Sequence, residues 1–186
     1  TDLVESMGVT SYLIHGGFEY DGRPLAGKTL DREECFQVLE QMKEDGVESI
    51  AICSIFSPVN ADHEKEFAQY AKEVFGPDIP ITLSSEIGSL SLIERENSTV
   101  LNAAVVGVAS KAARGLTAAL KRFGIKTKVF FAQNDGTLMS LDYAIRYPIL
   151  TIGSGPTNSL RGAANLTEEK NCIVVDIGGT STDVGI

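Results

Sequence analysis

The feature that most constrains this chain is its last stretch, residues 171–185, Asn-Cys-Ile-Val-Val-Asp-Ile-Gly-Gly-Thr-Ser-Thr-Asp-Val-Gly. Residues 173–175 are an apolar, β-branched run suited to a buried strand. Asp176 closes that run, and Gly178 and Gly179 allow a tight turn, through φ > 0 or close backbone approach. Thr180, Ser181 and Thr182 then supply hydroxyls, Asp183 a second carboxylate, and Val184 starts another strand. The pattern predicts a β-hairpin whose turn presents backbone N–H groups. Successive N–H groups form an anion-binding concavity, so such a turn can hold phosphate oxygens. Two carboxylates would repel a bare phosphate and fit beside it only with a cation between. Asp176 and Asp183 carry oxygen ligands of the type Mg²⁺ uses, often through its waters.

Upstream, helical and strand periodicities alternate. Asp31 with Glu34 has the form of a capping box, and Cys35, Val38, Leu39 and Met42 follow at helical spacing until Gly46 stops the helix. Residues 47–56 form a near-continuous apolar run, which suits a parallel strand buried on both faces. A second helix starts near Asn60, with Phe67, Tyr70, Ala71 and Val74 as its buried stripe. Asp62, Glu64, Lys65, Glu66 and Lys72 read as its solvated face. Residues 79–83 are the next strand, and the alternation predicts a right-handed α/β unit. Residues 84–88 read as a loop at a strand's carboxyl end, where open α/β sheets bind ligands, which makes Glu86 a candidate.

Ser91 with Glu94 has the form of a second capping box. It opens a helix expected to run to Phe123, with Leu101, Val105, Val108, Ala112, Leu116, Leu120 and Phe123 recurring every three or four residues on one face. A helix of ~30 residues spans about 45 Å and suits an element that bridges two lobes. Residues 128–132 read as a strand running into a turn at Asn134, Asp135 and Gly136, and Ser140 caps a short helix. Residues 148–152 read as a further strand. Gly153, Ser154 and Gly155 then form a loop before Pro156, which starts a helix to about Leu166. A glycine loop at a helix start is a potential anion site.

A net charge of −9 argues against nucleic acid or an anionic membrane surface as a partner. No apolar run is expected to span a bilayer, and residues 1–5 lack signal-peptide chemistry. The missing initiator Met suggests a segment of a longer protein. Cys35, Cys53 and Cys172 have no metal-site spacing, so they read as free thiols in a reducing compartment, the cytoplasm.

The closing string resembles the phosphate hairpin of the actin, heat-shock ATPase and sugar kinase superfamily. There, each of two ribonuclease H-like lobes opens with such a hairpin, and ATP lies in the cleft between. One family within it is matched more fully. Its first-lobe end is resembled by Gly46-Val-Glu48 through Phe56 and by Asn60-Ala-Asp-His-Glu64. Its linker helix is resembled by Ser84-Ser-Glu86, Glu94-Arg95 and Ser98-Thr-Val-Leu-Asn102. Gln133-Asn-Asp-Gly136, Ser154-Gly-Pro156 and Asp176-Ile-Gly-Gly-Thr-Ser-Thr-Asp183 complete the likeness. Over roughly residues 20–186 the chain is similar to the hydantoinase A, 5-oxoprolinase and acetone carboxylase family. It departs at Asp135, where the family usually has Gly, and at Thr157-Asn158-Ser159, where it usually has Ala-Gly-Gly.

The resemblance implies an α/β fold of ribonuclease H-like (actin-like ATPase) elements from two lobes joined by a long helix. Residues 1–90 would end the first lobe, 91–124 form the connecting helix, and 125–186 start the second. It also implies ATP and Mg²⁺ as cofactors, and an amide, lactam of the hydantoin or 5-oxoproline type, or ketone as substrate, activated by phosphorylation. Gly178, Gly179, Thr180, Ser181 and Thr182 would hold phosphate oxygens, and Asp176 and Asp183 would be the catalytic pair that holds Mg²⁺ or its waters. Ser154 and Gly155 would line the cleft, and Asn134, Asp135 and Gly136 would face nucleotide or substrate. A second enzyme subunit is a further implied partner. The first phosphate hairpin is expected upstream of Thr1 and the adenosine site downstream of Ile186, so the isolated chain is expected to be inactive. An unpaired strand edge at the end would favour homo-oligomers or strand borrowing. The hairpin alone equally suits a metabolite kinase, or an actin-like or chaperone-like ATPase that drives a conformational cycle.

Overall fold

The computed structural model describes residues 8–89, 91–167 and 171–186; the reading of residues 1–5 lies outside them. Two units separate within the long helix, after Gly107.

In the first unit, the Asp31 carboxylate accepts from Glu33 N at 2.9 Å and Glu34 N at 3.3 Å, capping helix α1 (Arg32–Glu44). The Glu34 carboxylate binds His15 Nδ1 at 2.8 Å and so ties the N-terminal segment to the helix. Gly46 ends α1 with φ 73°, a conformation cheap only for glycine. Strand β1 (Ile50–Ile52), helix α2 (Asp62–Phe75) and strand β2 (Ile81–Leu83) follow. β1 and β2 pair in parallel, Ile50 opposite Ile81 and Ile52 opposite Leu83, so the expected strand–helix–strand unit is present. Leu39, Met42, Ile50, Phe67, Ala71 and Leu83 form its core with Cys35. Burial, with the nearby Glu34, Glu66 and Asp31 charges, pushes the Cys35 thiol up to about 11.

β1 is much shorter than the apolar run 47–56. The chain turns at Phe56, which takes φ 52° and is 44% exposed. The cause is a buried polar group. Glu64, read from sequence as solvated, is 1% exposed. Its Oε1 accepts from Ser54 N at 2.9 Å and Ser84 Oγ at 2.5 Å, and its Oε2 accepts from Ser85 N at 3.0 Å. These bonds take backbone N–H groups that a longer ladder would use. They also draw residues 84–88, expected as a loop, into a one-turn helix, Ser84–Ile87.

Helix α3 (Leu92–Arg122) enters this network through Arg95, 5% exposed. Its Nε donates to Ser84 Oγ at 3.0 Å, Nη2 to Ser54 O at 2.7 Å, and Nη1 to Ser91 O at 3.2 Å. The Ser84 hydroxyl therefore stands between a buried cation and a buried anion. The face of α3 that the first unit buries is Arg95, Thr99, Val100, Asn102 and Ala103, with Asn102 Nδ2 donating to Thr82 Oγ1 at 3.0 Å. From Val108 on, the apolar stripe is mostly exposed, Val108 71% and Phe123 73%. Satisfied polar groups can be buried as readily as apolar ones, and here they choose the face. By length and composition alone α3 could cross a bilayer, which the sequence reading did not anticipate.

In the second unit, Gly124 (φ 68°) ends α3. Strands β3 (Phe130–Ala132) and β4 (Leu138–Ser140) pair antiparallel, Phe131 opposite Met139. Ser140 caps helix α4 (Leu141–Arg146), its Oγ accepting from Tyr143 N at 3.3 Å. Residues 148–152, expected as a strand, form a 3-10 turn, Pro148–Thr151. Pro148 offers no N–H to a ladder and favours a helical start, and Thr151 Oγ1 closes the turn on Pro148 O at 2.7 Å. Helix α5 (Ser154–Thr167) leads to strands β5 (Val174–Ile177) and β6 (Thr182–Gly185), the expected antiparallel hairpin. The described residues thus hold three two-stranded sheets in a mixed α/β arrangement.

The buried network gives a stability test. Glu64→Ala leaves the Ser54 and Ser85 amides without their acceptor and removes the negative charge beside Arg95, and should cost about 3 kcal/mol or more. Glu73→Ala breaks only the exposed Arg32–Glu73 pair, 3.5 Å long, and should cost less than ~1 kcal/mol. Urea unfolding followed by circular dichroism compares them, and equal losses would contradict the assignment.

Candidate functional site

The β5–β6 hairpin gathers the C-terminal candidates. Asp176 lies directly opposite Asp183 in the ladder, and opposed residues share a face. Both are half-buried on the side of α5, while Val175, Ile177 and Val184 lie on the exposed side. Ser159 of α5 donates its hydroxyl to Asp176 Oδ2 at 2.5 Å. Leu160 packs on Gly185, where a Cβ would come within 2.5 Å of Leu160 Cδ2, so glycine lets the helix settle on β6.

At the turn, Gly178 N donates to Ser181 O at 2.9 Å, leaving Gly179 and Thr180 as a two-residue tip. Neither Gly178 nor Gly179 takes the left-handed φ that the sequence reading allowed. Gly178 serves close approach instead: a Cβ there would lie 3.3 Å from Ser181 O. A Cβ on Gly179 would meet open space, and Thr180, Ser181 and Thr182 are exposed. Two carboxylates side by side below an exposed hydroxyl-rich tip supply oxygen ligands of the kind that a hydrated divalent cation would use. Mg²⁺ takes one or two carboxylates and fills its shell with water and phosphate oxygens. The described residues hold no cluster of three or more ligating side chains, so a fully protein-caged ion is not what they offer.

The other candidates surround the amino-terminal half of α5. Ser154 donates its hydroxyl to Thr151 O at 2.7 Å, and a Cβ on Gly155 would meet open space. Asn134 acts as a bracket: its Oδ1 accepts from Gly153 N at 2.7 Å and its Nδ2 donates to Ile149 O at 3.1 Å. Asp135 Oδ1 accepts from Thr137 Oγ1 at 2.7 Å and Thr137 N at 2.8 Å, which holds its carboxyl below the usual range. Gly136 (φ 80°) has no room for a Cβ, and its carbonyl accepts from Arg161 Nη1. In the first unit, Glu86 and Glu94 are exposed, whereas Arg95 belongs to the buried network.

Three residues carry more than the sequence reading assigned them: Glu64, Ser84 and Ser159. Glu64 shares a helix face with Phe67, Ala68 and Ala71, and that spacing was the available signal. No local pattern marked the partner of Ser84 or Ser159, because each partner lies on another element.

The bracket at Asn134 is testable. Asn134→Ala removes both tethers and should speed amide exchange at Gly153 by about tenfold or more, read by NMR. The lowered Asp135 carboxyl stabilises the turn fully above the ordinary carboxylate range, and this is lost as pH falls through the lowered value. Asp135→Asn should remove that acid step from the Thr137 amide shift.

Comparison with known proteins adds a lineage to this geometry. The hydantoinase/oxoprolinase family model matches residues 95–186, and the model of the hydantoinase/oxoprolinase N-terminal region matches residues 5–75. The 5-oxoprolinase of Saccharomyces cerevisiae is 30% identical over 162 residues, covering 84% of this chain and 12% of that protein. Caprolactamase subunit alpha of Pseudomonas jessenii is 23% identical over 175 residues, covering 87% of this chain and 25% of that protein. The crystal structure of the ATP-dependent caprolactamase from Pseudomonas jessenii matches with a TM-score of 0.74 at 21% identity, covering 92% of this chain and 25% of that one. That likeness concerns the fold. The chain spans a quarter or less of the length of these relatives. Two regional models of one family, matched in order over residues 5–75 and 95–186, show that the chain belongs to the hydantoinase/oxoprolinase family.

Proposed function

We propose that this chain is part of a longer ATP-dependent enzyme that activates a small amide or lactam, or a ketone, by phosphorylation before hydrolysis or carboxylation. The observation that carries the reading is the pairing of Asp176 with Asp183 on one face below the exposed Gly179-Thr180 tip. Relatives named 5-oxoprolinase and ATP-dependent caprolactamase support the substrate class. In this reading residues 1–90 end a first ribonuclease H-like lobe, 91–124 connect, and 125–186 open the second. A second subunit is expected, as the subunit naming of the caprolactamase suggests. Free thiols at Cys35, Cys53 and Cys172 accord with a cytoplasmic setting.

An unactivated amide resists hydrolysis because its carbonyl oxygen and nitrogen are poor leaving groups. ATP, when bound, supplies the phosphoryl group that turns that oxygen into a better one. For such transfer the protein supplies mainly position and electrostatics. The backbone of Gly178, Gly179 and Thr180 would hold phosphate oxygens, aided by the Ser181 and Thr182 hydroxyls. Asp176 and Asp183 would hold Mg²⁺ or its waters. Ser154 and Gly155, at the start of α5, and the turn at Asn134, Asp135 and Gly136 would border nucleotide or substrate.

Phosphate release by the full-length protein, with ATP and Mg²⁺, tests this directly. Addition of hydantoin, 5-oxoproline or caprolactam should stimulate release, and Asp176→Ala should abolish it with folding intact. The 186-residue chain alone should show no steady turnover. A phosphorylated product would point to a metabolite kinase, and turnover that depends only on a protein client would point to a conformational ATPase. Wild-type turnover in Asp176→Ala would remove the carboxylate from the mechanism.

A further inference from the structure

The hydroxyl of Ser159 is used unusually for its place in a helix. Mid-helix Ser and Thr commonly return their hydroxyls to a carbonyl four residues back. Thr167 of α5 does so: its Oγ1 donates to Ala163 O at 2.9 Å. Ser159 instead reaches across and donates to Asp176 Oδ2 at 2.5 Å. Its neighbour Leu160 is seated on Gly185 of β6, so adjacent helix residues engage both strands of the hairpin.

The opposite face of the same helix holds the other candidate loop. Thr157 Oγ1 donates to Asn134 O at 2.7 Å, and Arg161 Nη1 donates to Gly136 O. Thr157 and Arg161 are four residues apart and share a face, and Ser159, midway between, points away from it. α5 is thus clamped between the 134–136 turn and the acidic hairpin. Carboxylates held by a helix are placed more narrowly than those left to choose among rotamers, and partners behind a metal-binding carboxylate commonly set its affinity.

We propose that Ser159 is a positioning residue for Asp176. By engaging Oδ2 it would leave Oδ1 for a bound cation, an inference that rests on the metal-binding reading above. The test is Mn²⁺ titration of the full-length protein without nucleotide, with free Mn²⁺ read by electron paramagnetic resonance. Ser159→Ala should weaken Mn²⁺ binding about tenfold, with the thermal melt essentially unchanged, while Ser159→Thr, which keeps the hydroxyl, should stay within about threefold of wild type. In an Asp176→Asn background, Ser159→Ala should add no further loss, because the serine acts through that carboxylate. Equal Mn²⁺ binding by wild type and Ser159→Ala would overturn the role of Ser159 and leave the metal site standing. A further loss in the Asp176→Asn background would overturn it too. A wild-type protein that binds no Mn²⁺ would overturn both.

Discussion

The first unit depends on how one carboxylate is buried. Glu64 cannot enter the interior as a charge without donors, and Ser54 N, Ser84 Oγ and Ser85 N supply three. Those donors lie at the carboxyl ends of β1 and β2, so satisfying Glu64 shortens one strand and coils the residues after the other. Arg95 then supplies the opposite charge through Ser84 and selects which face of α3 is buried. Strand length, loop shape and helix orientation all follow from this requirement.

The second unit solves a different problem. An isolated two-stranded hairpin is marginal in water and needs a layer to cover it. α5 covers the inner face of β5–β6, where Gly185 makes room for Leu160 and Asp176 receives Ser159. The same helix is bonded on its other face to the turn at Asn134 and Gly136. Packing and the proposed chemistry therefore share one element. A helix that stabilises the hairpin also holds the carboxylate on which the cation would depend, and displacement of α5 would disturb both loops.

Much of this architecture was legible along the chain. Asp31 as a cap, Gly46 and Gly124 as helix ends, the parallel β1–β2 pair across α2 and the closing hairpin follow from capping, left-handed φ and periodicity. Each is a property of neighbours in sequence. The structure departs from the local pattern where an apolar run was free to choose. Residues 148–152 look like a strand by composition, yet Pro148 lacks the N–H that a ladder needs and a 3-10 turn results. Residues 53–56 look like the end of a strand, yet the Ser54 amide is engaged by a carboxylate ten residues on.

The chain by itself determined which residues bring oxygen ligands and turn-forming glycines together. Asp176 and Asp183 flank a short turn, and alternation in a hairpin puts them on one face. Only the tertiary structure decided which polar groups are spent on architecture. Asn134 braces Gly153 and Ile149, Glu64 has the chemistry of a solvated acid but organises an interior, and Ser159 meets Asp176 across another element. The physical reason is that a polar side chain's role is set by whichever donor or acceptor reaches it first in space. That partner lies on another element, at a sequence distance no local pattern encodes.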